Sequence, residues 1–290
     1  MSKKWLLSLI LILFLGGCAN QSTPVFISTF TPTFLPTETS TLIPAQAPSA
    51  SPTATSLPLV TSVCSPLQGI ALSDLRLITS NPFYFKYPFS EGPSGDKNHP
   101  AVDLGFYHFK SFSTDAGFPI QALLPGKVVE VLDNRFPYGN MILIETPLQD
   151  LSPELQALIK IPQPYSDEEI KTHSTCQPDQ SRISWSDTAK SIYSLYAHMQ
   201  APSTLKPGDI VQCGELIGAI GASGNSSTNI EHLHLEIRIG PADAKFGTIS
   251  DYLSSSTPEE RYNYCIWALS EIFLPINPTL FWEPANVQGQ

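Results

Sequence analysis

Five short runs rich in β-branched and aromatic residues, each bounded by glycine, proline or polar residues, limit what this chain can fold into. They are Phe118–Ala122, Gly126–Val131, Asn140–Glu145, Ser191–Tyr196 and His232–Arg238. Runs of this length and composition predict strands rather than helices, and the fold expected is mainly antiparallel β. Gly117-Phe-Pro-Ile-Gln-Ala, followed by Gly126 and a valine-rich run, is echoed by Gly208-Asp-Ile-Val-Gln-Cys, followed by Gly214 and Leu216-Ile217. The echo suggests a repeated supersecondary unit. Between Glu145 and Ser191 the text turns polar. Ser152 before Pro153 reads as an N-cap with proline at the first helical position, and Ser166–Ile170 is a second helix-like piece. We read residues 147–190 as a partly helical insertion between two strands. A C-terminal helix is predicted over Thr257–Phe273, where Pro258, Glu259 and Glu260 supply a normal start.

The first 62 residues differ in kind. Lys3 and Lys4 precede an apolar run from Trp5 to Leu15, then Gly16, Gly17 and Cys18. That run is shorter than the ~20 apolar residues needed to span a bilayer, and small residues before a cysteine mark a processing site. Residues 1–18 therefore read as an export signal. Residues 19–62 are dominated by Thr, Ser and Pro and cannot bury enough apolar surface to offset their ordering entropy, so a disordered tether is expected. The folded domain is expected over 63–285, with its core at about 95–240. Apart from Cys18 the cysteines are Cys64, Cys176, Cys213 and Cys265. An even set in an exported chain suggests two disulfides, with three pairings open.

The formal net charge of -10 excludes a nucleic-acid partner, because phosphate affinity rests on clustered Lys and Arg. Candidate chemistry lies with the histidines. In a strand His232, His234 and Glu236 would share one face while Leu233, Leu235 and Ile237 take the other. A bare His-x-His is often only a solvated pair. His99 and Asp103 add an imidazole and a carboxylate, both common zinc ligands. His108 and His173 have no such neighbours and read as surface residues.

The order His99-x-x-x-Asp103, the Gly117 and Gly126 strand motif, Tyr138-Gly139-Asn140, Tyr196-Ala197-His198, the Gly208 and Gly214 motif, and His232-Leu-His234-x-Glu236 resembles the lysostaphin/LytM-type zinc endopeptidases, over roughly His99 to Arg238. The resemblance implies the antiparallel sheet and barrel-sandwich architecture of the duplicated hybrid motif. It implies one Zn2+ per chain on His99, Asp103 and His234, with His198 and His232 sharing the general-base and transition-state roles in an order left open. It also implies hydrolysis of a peptide bond in the stem peptide or cross-bridge of peptidoglycan. The alternative is a catalytically inactive LytM-like factor that regulates cell-wall amidases, although in this chain every ligand position is intact. Leu15-Gly-Gly-Cys18 is similar to a bacterial lipobox, which implies lipid on Cys18 and a membrane-anchored lipoprotein of the cell envelope. Two departures stand out. Ala101 replaces a usual glycine and is expected to crowd the metal approach, and the loop from Gly221 to Glu231 is longer than usual at the edge of the cleft. Which bond is cut, the role of the insertion and the oligomeric state stay open.

Overall fold

A computed structural model describes residues 59–85, 99–106, 115–159, 179, 181–225, 230–251 and 254–283. The signal and lipid site at Cys18, the tether up to residue 58, the helix-like piece at Ser166–Ile170, and Cys176, His108 and His173 lie outside them. Val60, which the sequence reading assigns to the tether, already belongs to the folded chain: it is buried in the core, and its amide donates to the Asp150 carbonyl.

The strands are β1 (Thr79–Asn81), β2 (Ala101–Leu104), β3 (Pro119–Gln121), β4 (Gly126–Arg135), β5 (Gly139–Pro147), β6 (Lys190–Met199), β7 (Ile210–Val211), β8 (Leu216–Ala219), β9 (Leu233–Pro241) and β10 (Leu274–Ile276). One sheet runs β1-β2-β9-β6-β5-β4-β7, with β10 also on β9, and β3 pairs with β8 in a second small sheet. Every strand pair is antiparallel, as the runs of β-branched residues predict. The glycine-marked echo has a structural counterpart. The first unit contributes β3 and β4, the second β7 and β8, and they pair reciprocally, β3 with β8 and β4 with β7.

The middle strands are buried on both faces. Nine of the ten residues of β6 are buried. One core holds Leu233, Leu235 and Ile237 with Ile120, Ile142 and Tyr196. The other, across the sheet, holds Tyr138, Tyr193, Trp267 and Phe273. The second core is supplied largely by the chain after β9. There Thr257 caps helix α2 (Pro258–Tyr264) through a capping box with Glu260. The helix expected to reach Phe273 is shorter: α2 passes into a π-helical turn at Cys265–Leu269 and the chain then returns as β10. The wider turn ends at Leu269, and after Ser270–Phe273 the chain pairs as β10 with β9.

The insertion begins as expected. Helix α1 (Pro153–Leu158) starts on Ser152, whose side chain accepts from the Leu155 amide. It lies between the neighbouring strands β5 and β6. Cys64 and Cys213 form a disulfide across 149 residues of sequence, which selects among the pairings left open, and Cys265 is also disulfide-bonded. The first bond fastens the incoming chain to the β3–β8 layer, where the Cys64 amide donates to the Leu123 carbonyl. Closing so long a loop restricts the unfolded chain, and replacing both Cys64 and Cys213 by serine is expected to cost roughly 2–5 kcal/mol. Urea denaturation of the oxidised protein and the double variant checks this; coincident midpoints would show that the bond contributes nothing.

Candidate metal centre

Three adjacent strands bring the site together. In the β2–β9 register Asp103 lies opposite His234, and in the β9–β6 register His234 lies opposite Ala197, next to His198. His99 enters just before β2, through a bridge to Tyr84. His232 sits one residue before β9, bridged to Gly221, and so is not a strand residue as the sequence pattern suggests. It reaches the same site: its ring centroid lies 4.9 Å from that of His198. All five predicted residues thus meet at one groove of about 480 Å3, walled further by Asn81, Tyr138, Asn225, Ile230 and Tyr264.

Among the described residues two sets of donors are close enough to share a cation. One ligand atom from each of His99, Asp103 and His234 lies within 4.8 Å of the others, and the same holds for His198, His232 and His234. In the first set Asp103 Oδ1 is 3.1 Å from His99 Nε2 and 3.0 Å from His234 Nδ1. A carboxylate oxygen against two ring nitrogens requires positive charge between them, from a proton on a ring or from a cation. The donor set suits zinc, which takes imidazole nitrogen and carboxylate oxygen together. His234 Nε2, buried and without a hydrogen-bond partner, marks the ring as only half satisfied by protein.

Backbone carbonyls orient the other three rings. His99 Nδ1 lies 3.1 Å from the Pro82 carbonyl, His198 Nδ1 2.7 Å from that of Ser223, and His232 Nδ1 2.9 Å from that of Ile230. A carbonyl only accepts, so in each ring Nδ1 carries the proton and Nε2 is left for the site. Burial, aided by the neighbouring His234 and His232, pushes His198 down to about 3, and burial lowers His232 despite the Asp103 charge. Both rings are therefore neutral near pH 7, with Nε2 able to accept a proton. Burial would raise the Asp103 carboxyl and lower His234. The hydrogen bonds and charges between the two, with His99 and Glu236 adding, reverse both effects: Asp103 falls well below the usual carboxylate range and His234 rises to about 9.

Several contributors carry no motif of their own. Asn81 Nδ2 donates to Asp103 Oδ2 at 3.2 Å, and only the β1–β2 pairing brings it there. Ser223 both presents its carbonyl to His198 and bonds through Oγ to the Asn140 amide and the Met199 carbonyl. Tyr138 and Arg238 line the groove together with Glu236. Glu236 is the residue the sequence pattern placed on the face of His232 and His234, and Arg238, four residues after His234, follows on that face. Ala101, expected to crowd the metal, is fully buried opposite Glu236 and does not line the groove. The long loop does edge the groove through Asn225 and Ile230, with 226–229 outside the described residues.

The Ser223 carbonyl is held by two glycines packed face to face. Gly139 has φ 71° and Gly224 φ 73°, both in the left-handed region. A Cβ on Gly139 would fall 2.4 Å from the Ser223 carbonyl carbon, and one on Gly224 2.3 Å from the Gly139 nitrogen. Gly139→Ala is expected to destabilise by more than the ~1–2 kcal/mol of a left-handed alanine alone, because the clash adds to it. An unchanged urea midpoint would show that the two loops do not depend on this contact.

The sequence model of Peptidase family M23 matches residues 181–245. No curated protein matches the chain. Among solved structures, the catalytic domain of the antimicrobial peptidase lysostaphin from Staphylococcus simulans is similar at 20% identity, over 58% of this chain and 86% of its own, with TM-score 0.33. A zinc-containing peptidase from Vibrio cholerae is similar at 18% identity, over 62% of this chain and 35% of its own, with TM-score 0.29. A chain of the SpoIIIAH and SpoIIQ complex is similar at 16% identity, over 61% of this chain and 92% of its own, with TM-score 0.34. Likenesses of that size carry no argument about activity. The matched segment holds β6 and β9 with His198, His232 and His234, two of the three strands that build the site, while His99 and Asp103 lie outside it. Residues 181–245 thus match Peptidase family M23, and the resemblance drawn from the motifs is to that family.

Proposed function

We propose that the protein is a zinc-dependent peptidase that hydrolyses a peptide bond in peptidoglycan. The observation that carries the reading is the convergence of His99 Nε2, Asp103 Oδ1 and His234 Nδ1, beside two further imidazoles whose Nδ1 atoms are already committed to backbone carbonyls. A zinc ion on those three residues supplies Lewis-acid polarisation of a carbonyl and lowers the pKa of a water.

The remaining steps belong to the chain's own side chains. His198 and His232, neutral and directed inward through Nε2, take up the proton of the attacking water and return one to the leaving amine. Their burial keeps the rings uncharged until that moment. Asn81 holds the second oxygen of Asp103, so the carboxylate keeps one oxygen toward the two ligand rings. The groove lined by Tyr138, Tyr264 and Ile230 holds a peptide against the site. Peptidoglycan as substrate, export, and lipid anchoring through Cys18 belong to the same proposal. They rest on the motif resemblance and on residues 1–58 rather than on the groove.

The test is zinc analysis of the purified protein together with release of soluble fragments from peptidoglycan. About one zinc per chain is expected. His234→Ala should lose both metal and activity. His198→Ala should keep the metal and lose activity by roughly 10²–10⁴-fold, the usual weight of a proton-transfer group. A wild-type chain that takes up no zinc and releases nothing would overturn the reading, and stimulation of a cell-wall amidase by such a chain would identify the regulatory alternative.

A further inference from the structure

Four imidazoles surround the centre, and three have the nitrogen that faces away from it on a backbone carbonyl. His234 is the exception. Its Nδ1 faces Asp103, so its outward nitrogen is Nε2, which is buried and makes no hydrogen bond. An acidic oxygen lies nearby: Glu236 Oε2 is 3.8 Å away. That is longer than a hydrogen bond, and a swing of the ring by less than about 1 Å would close it.

Glu236 is in turn fixed from every side. It is fully buried and bonded by Arg238 Nε at one oxygen and by the Tyr138 hydroxyl, at 3.2 Å, at the other. The Tyr138 hydroxyl accepts from Trp267 Nε1 at 3.1 Å. Arg238 Nη1 donates to the Phe273 carbonyl at 2.7 Å, and its guanidinium lies 5.1 Å from the centroid of the Trp267 ring. In the sheet Glu236 stands opposite Ala101, a small side chain at the position nearest the carboxylate across β2.

We infer that Glu236 is the positioning residue of His234, setting its tautomer and ring angle, and that it is itself held by Tyr138, Arg238 and the chain at Trp267–Phe273. The inference rests on His234 being a metal ligand. A ligand imidazole must offer a lone pair at one nitrogen, and a carboxylate at the other nitrogen keeps the proton there and makes the ring a stronger donor. The chain at Trp267–Phe273 lies beyond residues 181–245, the segment matched by the family model. This protein's own C-terminal segment thereby becomes part of the support of its centre.

The experiment measures zinc affinity of the full chain by competition with a chromophoric chelator, and the absorption spectrum with Co2+ in place of zinc. Glu236→Gln keeps an acceptor but loses the charge and should weaken zinc about 10-fold; Glu236→Leu loses both and should weaken it about 100-fold, with altered cobalt bands. A purely structural role would lower the metal-free melting temperature and leave the affinity of folded protein and the cobalt spectrum unchanged, which would overturn the inference. Should the Glu236 variants not fold, Tyr138→Phe and Trp267→Phe leave the Arg238–Glu236 pair in place. Each should weaken zinc several-fold, and wild-type affinity in both would equally overturn it. A wild-type chain that binds no zinc removes the metal-centre reading and this inference with it. Zinc-binding wild type with variants equal to it removes this inference alone.

Discussion

The register of three strands is the constraint from which the site follows. Asp103 on β2, His234 on β9 and Ala197 on β6 lie side by side, and His198 comes next along β6. A slip of one residue in β9 would turn His234 to the other face and bring Leu233 or Leu235 to the groove. Both faces oppose that slip. Leu233, Leu235 and Ile237 would leave one core, at about 1.5–3 kcal/mol for each side chain exposed. Glu236 and Arg238 would leave their partners on the other. The ligands are thus placed by core packing, and the two-sided burial of β6 and β9 gives the packing its authority.

Placement of the rings is a separate problem, solved by irregular chain. The carbonyls of Pro82, Ser223 and Ile230 belong to connecting segments rather than to ladder positions, so each is available to receive an imidazole proton. His198 itself has φ 59°, a left-handed conformation that costs about 1–3 kcal/mol in a non-glycine residue. Its amide donates to the Tyr138 carbonyl and its ring to Ser223, so the strained conformation is held from both ends. This is what allows a strand-end residue to turn its ring into the groove beside His232 and His234.

What was legible in the sequence is what depends on local spacing. The strands appeared as β-branched runs, and the i, i+2 and i, i+4 relations of His234 with His232 and Asp103 with His99 carried the candidate donors. The echo between Gly117 and Gly208 anticipated a repeat, though not that its strands would exchange partners. The rest depends on contacts between distant residues. Asn81 reaches Asp103 only because β1 pairs with β2, and Ser223 reaches His198 only because Gly139 and Gly224 pack together. His232 was read as a strand residue because the pattern alternates, yet pairing begins one residue later. The C-terminal helix is shorter than expected because its start is marked by Pro258, Glu259 and Glu260 while nothing comparable marks its end at Tyr264. Val60 falls within the expected tether because Pro58, Thr61 and Ser62 continue the polar text, and the short apolar pair Leu59-Val60 leaves no periodic signal.

The second core raises a question of energetics. Arg238 and Glu236 are both fully buried, and a buried ion pair is seldom more stabilising than apolar residues of similar volume, while removing one partner costs roughly 3–5 kcal/mol. Stability alone therefore does not account for a charged pair beside the rings of Tyr138, Trp267 and Phe273. Position does. The pair lies on the face of β9 that carries His234, and the rings around it supply bonds to the carboxylate and a surface for the guanidinium rather than packing alone. An apolar core there would hold the sheet equally well but would leave His234 Nε2 facing hydrocarbon, with the ring held through Asp103 alone. One part of the second core thus serves as a mount for one imidazole, and the chain at Trp267–Phe273, beyond β9, completes it.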